Sequence, residues 1–307
     1  MKNMNTLLFV LILSGAAFAY ADDAPYESTY KPLPYTNTIF RNANIYDGDG
    51  NEFQNTDLFI RDGKIIAIGK DLPGSSDFIE IDASNKWITP GIIDIHSHMG
   101  VYPAPSVRTS SDGNEATSPV TADVWAEHSI WVQDPQFALA LKGGVTTFHV
   151  LPGSANLIGG RGVTAKNLQR NTINSMKYPN APHSLKMACG ENPKRVYGNR
   201  NQAPSTRMGN IAGYRKSWIR AEAYLSRLDE YEAKSDEAKE IGYKPTRDLE
   251  LDTLAGVLRG EILVHNHCYR ADEMAMMIDV AKEFNYKITA FHHAVEAYKI
   301  ADLLAEN

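Results

Sequence analysis

The stretch "ITPGIIDIHSH", residues 88–98, decides the fold of this 307-residue chain. It is a short apolar run that ends in two histidines, His96 and His98, at positions i and i+2. On an extended strand such side chains project to the same face, about 7 Å apart. Two imidazole nitrogens can then converge on one metal ion at about 2.1 Å each. The alternative is a hydrogen-bonded histidine pair where a strand meets a loop, and this stretch alone does not decide between them.

The residues before this stretch predict a small module of short strands. The segments "TIFRNANIYDG" (38–48) and "DLFIRDGKIIAIG" (57–69) alternate apolar and polar residues, as half-buried strands do. The Asp62-Gly63 pair stands where a two-residue hairpin turn demands positive φ. We assign residues 22–89 to an irregular lead-in followed by this N-terminal β module. The direct passage from the module into the histidine-bearing run favours a buried strand, and so the metal site, over a surface loop.

Residues 90–307 alternate strands and helices, with polar side chains gathered at the C-terminal ends of the strands. The predicted strands are "IIDIHSH" (92–98), "VTTFHVLPG" (145–153), "SLKMACGENP" (184–193), "EILVHNH" (261–267) and "KITAFHH" (287–293); the predicted helices cover 134–144, 213–240, 248–260, 271–285 and 294–307. This order predicts an α/β fold, a (β/α)8 TIM-type barrel that is incomplete, with about six strands present. A doubly wound sheet is disfavoured because no glycine-rich phosphate loop opens a helix after a first strand. The glycine-rich segment 153–162 is predicted to be a loop over the site.

Two later strands also end in histidines. His265 and His267 close the strand before the helix at 271–285, and the neighbouring Cys268 is a candidate soft ligand whose side chain should alternate away from His267. His292 and His293 are adjacent, so only one of them is expected to face a barrel mouth. Three strands that end in histidine, in a barrel-like alternation, favour a metal site over structural histidines.

A carboxylate is the usual complement to such histidines, because it neutralises the metal charge and can bridge two ions. Glu191 follows a strand directly after a glycine that permits a sharp turn. The rival is Lys186, which could bridge as a carbamate. We favour Glu191, since Lys186 lies five residues upstream, towards the other end of the strand. The structural alternative for Glu191 is an acid at a helix start, where the helix dipole prefers negative charge.

Together these motifs resemble the amidohydrolase superfamily. The stretch "WITPGIIDIHSHMG" (87–100) is similar to the first barrel strand of that superfamily, which follows an N-terminal β module. The segments "GENPKR", "HCYRADEM" and "HHAVEAYK" resemble its imidazolonepropionase-like branch, whose members are metal-dependent hydrolases of amide and related C–N bonds. The resemblance covers the chain from about residue 36 to residue 307.

The resemblance implies a set of metal ligands. They are His96 and His98 on one ion, Glu191 as a bridge, His267 from the fifth barrel strand and His293 from the sixth. His265 then becomes a neighbour that supports the ligands. The implied cofactor is one or two divalent ions, with zinc preferred. Tyr197, Tyr269 and Arg270 follow strand ends and are candidates for an oxyanion or a substrate carboxylate, with loop packing as the alternative.

One expected residue has no counterpart. The superfamily's last barrel strand supplies an aspartate that binds metal and moves the proton of the attacking water, and no residue here is assigned that role. We interpret the sequence as a fragment of a longer enzyme in preference to a degenerate copy. The alternative function is a non-catalytic metal-binding domain or inactive relic. Within the hydrolase prediction, the substrate is a small molecule or short peptide, dipeptidase-like or a cyclic amide.

The net charge and the N-terminal residues limit which partners the protein binds and where in the cell it is expected. The net charge of −6 gives no electrostatic reason to expect nucleic acid. Residues 1–21 carry an early lysine, a short apolar core and alanines at an Ala-x-Ala site, which predicts a signal peptide and export to the periplasm or the extracellular space. The apolar core is too short for a stable membrane anchor. Two cysteines allow no disulfide framework to be argued, and a homo-oligomer is compatible with the sequence.

Overall fold

The computed structural model describes residues 26–307, so the predicted signal peptide lies outside the described residues. The chain forms two sheets. The first contains β1 (Thr38–Tyr46), β2 (Glu52–Arg61), β3 (Lys64–Gly69), β4 (Ile79–Asp82) and β5 (Trp87–Ile88). Its order is β3-β2-β1-β4, with β5 also paired to β1. Asp62 and Gly63 both have positive φ, which confirms the predicted hairpin turn.

The second sheet has six strands, and each strand pairs with the next one along the chain. They are β6 (Ile92–Ser97), β7 (Val145–Val150), β8 (Ile158–Lys166), β9 (Ser184–Ala188), β10 (Leu263–Cys268) and β11 (Ile288–His293). The pairs β6–β7, β9–β10 and β10–β11 are parallel. Because parallel strands end at the same edge of a sheet, the strand ends that carry histidines come together. The sheet curls enough for His96 on β6 and His292 on β11 to touch, so it is a nearly closed, barrel-like sheet of the predicted class.

The prediction that residues 153–162 form a loop is wrong for their second half. Strand β8 begins at Ile158 and runs antiparallel between β7 and β9. Two of its three glycines are required by close packing, and Gly160 also has a φ of +105°. A Cβ at Gly160 would collide with the Val124 carbonyl, and one at Gly162 would collide with the Ser184 hydroxyl. Close contacts with neighbouring residues thus explain why this strand is as rich in glycine as a loop.

The helices cover the outer face of the second sheet. They are α1 (Pro135–Lys142), α2 (Glu191–Gly198), α3 (Arg207–Glu232), α4 (Asp236–Ile241), α5 (Leu249–Leu258), α6 (Ala271–Glu283) and α7 (Ala301–Ala305). The single helix predicted over 213–240 is two helices, because Ser235 caps the second through a hydrogen bond from the Ala238 amide. The segment predicted as a last helix begins with a 3-10 turn, Ala297–Ile300, before α7.

Strand β9 shows how the packing positions the site. Leu185 and Met187 are fully buried in the apolar core that contains Trp218 of α3. Strand alternation turns the residues between and beside them, Ser184 and Lys186, to the opposite face of the sheet. Because Leu185 and Met187 are packed in the core, the positions of Ser184 and Lys186 on the opposite face of β9 are fixed as well.

Candidate metal centre

A cluster of imidazoles surrounds one lysine at the C-terminal edge of the second sheet. Its members are His96 and His98 from β6, His149 from β7, Lys186 from β9, His265 and His267 from β10, and His292 and His293 from β11. The rings of neighbouring members lie 4.5 to 5.0 Å apart. Predicted ligands from three separate strands are thus brought to one place. The roles assigned to them stay predictions.

His96 and His98 have the geometry of two ligands to one ion. Their Nε2 atoms are 3.3 Å apart. Two nitrogens bound tetrahedrally to zinc at about 2.0–2.1 Å stand about 3.4 Å apart. The other nitrogen of His98 is held by a hydrogen bond of 2.9 Å to the carbonyl of Leu151. That contact requires hydrogen on Nδ1 and leaves the lone pair of His98 on Nε2, facing His96.

A line of hydrogen-bonded histidines continues across the sheet. His96 Nδ1 is 2.7 Å from His292 Nδ1, and His292 Nε2 is 2.8 Å from His265 Nδ1. The ring of His265 lies 4.9 Å from that of His149, whose nitrogens contact Ser184 and Thr164. His265 is therefore linked to His96 through His292, and its supporting role stays a prediction.

Burial keeps these imidazoles neutral. Burial, together with the charge of nearby groups that include Lys186, lowers the pKa of both His96 and His267 to about 3. Burial also lowers the pKa of His292 to about 2 and that of His265 to about 4. A neutral imidazole presents the lone pair that a metal ion takes, so at neutral pH the cluster is a set of ligands and not of cations.

Lys186 lies close to the histidines of the cluster, and which of Lys186 and Glu191 binds a metal stays a prediction. It is 0% exposed, and its Nζ donates to the Pro152 carbonyl at 2.9 Å and to Ser154 Oγ at 3.3 Å. Burial lowers its pKa to about 7. Glu191 is exposed at the first position of α2. The strand register sets Lys186 beside His265. Although Lys186 lies upstream of the strand end, its side chain is long enough to reach it.

The expectation that only one of His292 and His293 faces the mouth is wrong. Strand pairing sets the buried His292 opposite His267. His293 has φ +65° and Ala294 φ +42°, so the chain leaves the strand in the left-handed region. That bend turns the ring of His293 back to 4.5 Å from His267 and 5.0 Å from His96. Simple alternation does not anticipate such a bend.

The three candidate substrate-binding residues are placed differently from one another. Tyr269 joins the cluster, with its ring 4.5 Å from that of His267. Arg270 is exposed and forms a fork on Asp272, with contacts of 2.8 and 2.6 Å. Tyr197 is buried and donates to the Ser118 carbonyl at 2.6 Å. This contact agrees with the alternative that Tyr197 packs against a loop. The structure thus brings only Tyr269 to the predicted centre.

Three residues near the cluster were not found from the sequence. His149 lies within the predicted strand 145–153, and a histidine in a barrel strand was the available signal. Ser154 Oγ lies 3.0 Å from His267 Nδ1, and Asn192 Nδ2 lies 3.1 Å from His267 Nε2. Ser154 lies in a loop and Asn192 in the first turn of α2, and no periodicity marks either of them. A cavity of about 520 Å³ is lined in part by Pro152, whose carbonyl accepts a hydrogen bond from Lys186; none of the cluster's own side chains lines it.

Comparison with known proteins gives the family. The chain is 36% identical to a solved amidohydrolase from Thermotoga maritima, with a TM-score of 0.79, and covers 67% of that chain and 88% of its own length. The chain belongs to the amidohydrolase family. It is also 34% identical over 299 residues to "Amidohydrolase tasK" of Hapsidospora irregularis, and 44% identical over 63 residues to a dihydroorotase of Ligilactobacillus salivarius. No protein-family model matches the chain.

The match to these relatives is partial in length. This amidohydrolase chain spans 30% of the Hapsidospora relative and 14% of the dihydroorotase. The narrower resemblance to the imidazolonepropionase-like branch stays a prediction. Among residues 26–307, no helix is both long enough and apolar enough to cross a membrane.

Members of the amidohydrolase superfamily use divalent metals. The convergent Nε2 atoms of His96 and His98 fit two positions of a tetrahedral ion. Within the described part of the chain, no three His, Cys, Asp or Glu side chains stand together in metal-binding geometry. Lys186 is not among those four residue types. The further nitrogen donors for an ion are the Lys186 amine and the histidine rings of β10 and β11. The residues present fit an ion held first by the His96–His98 pair.

Cys268 is not available as the soft ligand considered from the sequence. It forms a disulfide with Cys189, across 79 residues of chain. Both cysteines are buried, Cys189 just after β9 and Cys268 at the end of β10. The sequence alone, with two cysteines far apart, gave no reason to pair them. In this amidohydrolase the link joins the ends of the two strands that carry Lys186 and His267.

Proposed function

We propose that the protein hydrolyses C–N bonds of amide-type substrates with a divalent metal ion, zinc being preferred, bound by His96 and His98. The observation that carries this proposal is the 3.3 Å approach of their Nε2 atoms beside a buried lysine. Lys186, His267 and His292 or His293 would complete the ligand set. Membership of the amidohydrolase family supports the reaction class.

Each group in the cluster has a role in this proposal. When bound, the ion polarises the substrate carbonyl and lowers the pKa of an attacking water. The imidazoles are held neutral by burial and supply lone pairs. The buried amine of Lys186 would hold an ion directly or, after addition of CO2 with loss of one proton, as a carbamate. Asn192 and Tyr269 stand next to His267 with donors suited to a substrate carbonyl.

The substrate is proposed to be a small molecule or short peptide. The cavity of about 520 Å³ beside Pro152 is within the range that such ligands fill. Two substrate classes are compatible with the site. One is a dipeptide or N-acyl amino acid, and the other is a cyclic amide, which is the class that the dihydroorotase relative's name indicates for that relative.

The test combines metal binding with turnover. The chain loaded with zinc is assayed for amine release or ring opening on a panel of dipeptides, N-acyl amino acids and dihydroorotate. We expect turnover of at least one class, and its loss in His98→Asn. Glu191→Gln is the matched control and is expected to keep both zinc and activity, because Glu191 is exposed. Zinc bound without turnover of any class would contradict the hydrolase and favour a non-catalytic metal-binding domain.

We further propose that the protein is exported, to the periplasm or the outside of the cell. The N-terminal residues carry the signal-peptide pattern, and a buried disulfide is typical of proteins that fold in oxidising compartments. Cell fractionation and N-terminal sequencing test this. A mature chain that begins near residue 22 in the exported fraction is expected, and an uncleaved chain in the cytosol would contradict it.

A further inference from the structure

Tyr102 lies against the predicted metal ligand His98. It follows β6 in a turn in which its amide donates to the His98 carbonyl at 3.0 Å. Its ring meets that of His98 edge-on, with the ring centroids 5.7 Å apart. On another side the ring packs on Gly113, where a Cβ would collide with it. The position of the phenol beside His98 is therefore fixed by several contacts.

The hydroxyl of Tyr102 also adjoins the loop that touches the rest of the cluster. It contacts Asn114 Nδ2, and that amide packs against Gly153, where a Cβ would collide with it. The next residue along the loop, Ser154, has its Oγ 3.3 Å from the Nζ of Lys186. The phenol thus lies between one predicted ligand and the loop that contacts the buried amine.

Hydrogen-bond donors and acceptors fix the direction of the contact between Tyr102 and Asn114. The Ala155 amide donates to Asn114 at 3.0 Å, so the atom that it meets is the oxygen Oδ1. The atom that faces the Tyr102 hydroxyl is then Nδ2, which carries only hydrogens, so the hydroxyl accepts. Its own hydrogen is left over, and among residues 26–307 no protein acceptor takes it.

Three buried tyrosines show the opposite pattern. They donate their hydroxyl hydrogens to acceptors of the protein, and they are Tyr197, Tyr214 and Tyr224. Such a contact removes the cost of burying a donor. Tyr102 is instead 37% exposed, so a ligand can reach its hydrogen. The hydroxyl of Tyr102 is therefore an oriented donor that the fold itself does not use.

We propose that Tyr102 is a catalytic residue that donates this hydrogen to the carbonyl oxygen of the substrate. The inference rests on the proposed function, in which an amide-type substrate is bound beside His98. When water adds to the carbonyl carbon, the oxygen gains negative charge and the hydrogen bond to it strengthens, while the proton stays on Tyr102. Loss of one donor of this kind lowers kcat by about 100- to 1,000-fold.

The test compares Tyr102→Phe, which lacks only the hydroxyl, with wild type as the zinc-loaded full chain. On the substrate class that wild type hydrolyses, we expect kcat to fall about 100- to 1,000-fold and KM to change much less. Zinc affinity by calorimetric titration and the midpoint of urea unfolding should stay as in wild type. Tyr298→Phe, at a residue that is 75% exposed, is the control and is expected to match wild type throughout.

A second measurement does not need turnover. Acetohydroxamate presents a carbonyl oxygen to a metal ion, and calorimetry follows its binding to the zinc-loaded chain. We expect Tyr102→Phe to bind it about 3- to 10-fold more weakly than wild type, which is the effect of one lost hydrogen bond. Tyr298→Phe should again match wild type.

The outcomes separate this proposal from the proposed function. Unchanged kcat in Tyr102→Phe overturns the role of Tyr102, and so does a fall in kcat with an equal loss of zinc affinity, which would be a structural effect. If wild type binds zinc and hydrolyses no substrate class, the proposed function fails and the hydroxamate comparison decides for Tyr102. Weaker hydroxamate binding then supports the donor, and equal binding overturns it. A wild-type chain that holds no zinc overturns both proposals.

Discussion

Two buried lysines in this protein are accommodated in opposite ways. Lys177 is 6% exposed, and its Nζ is 2.7 Å from Glu127 Oε1 and 2.5 Å from the carbonyl of Tyr26 in the lead-in. Lys186 is more deeply buried, but its two acceptors are the neutral oxygens of Pro152 and Ser154. Among residues 26–307, the ion pairs do not include Lys186.

The difference favours a structural role for Lys177 and, under the proposed function, a role at the metal centre for Lys186. A buried cation beside a buried carboxylate holds two parts of the fold together, and its charge is balanced. Burial lowers the pKa of the Lys186 amine to about 7, so it can lose its proton and act as a ligand or a nucleophile. Perturbed groups of that kind concentrate at functional sites.

The disulfide beside Lys186 gives the largest expected effect. It closes 79 residues of chain, and the lost freedom of the unfolded state is worth about 4 kcal/mol. We expect reduction, or the double variant Cys189→Ala with Cys268→Ala, to lower the free energy of unfolding in urea by about that amount. If reductant leaves the free energy unchanged, the two thiols are not linked in solution.

Breaking the Lys177 pair comes next. Lys177→Met leaves Glu127, 3% exposed, without its counter-ion, and removal of one partner from a buried pair costs about 3 kcal/mol or more. Urea denaturation measures this loss, and zinc affinity should not change. Lys216→Met, at an exposed position of α3, is the control and should stay within about 0.5 kcal/mol of wild type. A variant as stable as wild type would show that the pair is not structural.

Lys186→Met should give the reverse pattern. We expect zinc affinity to fall about 100-fold, equivalent to about 2.7 kcal/mol. The free energy of unfolding of the metal-free protein should stay within about 1 kcal/mol, because an apolar side chain of similar length replaces a costly buried amine. Calorimetric titration and urea denaturation measure the two quantities. Unchanged affinity with a large loss of stability would make Lys186 a second structural lysine.

The smallest effect is the stabilisation by zinc itself. A ligand that binds only the folded state at ten times its Kd raises the free energy of unfolding by about 1.4 kcal/mol. We expect this increase in wild type and in Lys177→Met, and its loss in His98→Asn at the same zinc concentration. An equal increase in all three proteins would mean that zinc binds away from the cluster.

The sequence predicts the histidines well and the lysine poorly, for a physical reason. Strand alternation and the common edge of parallel strands are periodic rules, and they bring His96, His98 and His267 together as expected. Lys186 reaches the same place through the length of its side chain, which a residue count along the strand does not include. Glu191, nearer in sequence, begins a helix and remains exposed.

Other differences arise from contacts between residues far apart in sequence. The glycines of β8 have a loop-like composition, but tertiary packing against Val124 and Ser184 requires them. The position of His293 depends on a left-handed bend that alternation does not include. The pairing of Cys189 with Cys268 depends on the adjacency of β9 and β10. Each of these becomes visible only when the fold is known.

X-ray absorption at the zinc edge of the loaded protein tests the central claim most directly. The account predicts nitrogen and oxygen neighbours at about 2.0–2.1 Å with the multiple scattering of imidazole rings, and one imidazole fewer in His98→Asn. Because Cys189 and Cys268 are paired, no sulfur neighbour is expected. Zinc without imidazole neighbours, or the same imidazole count in His98→Asn, would contradict the His96–His98 metal centre.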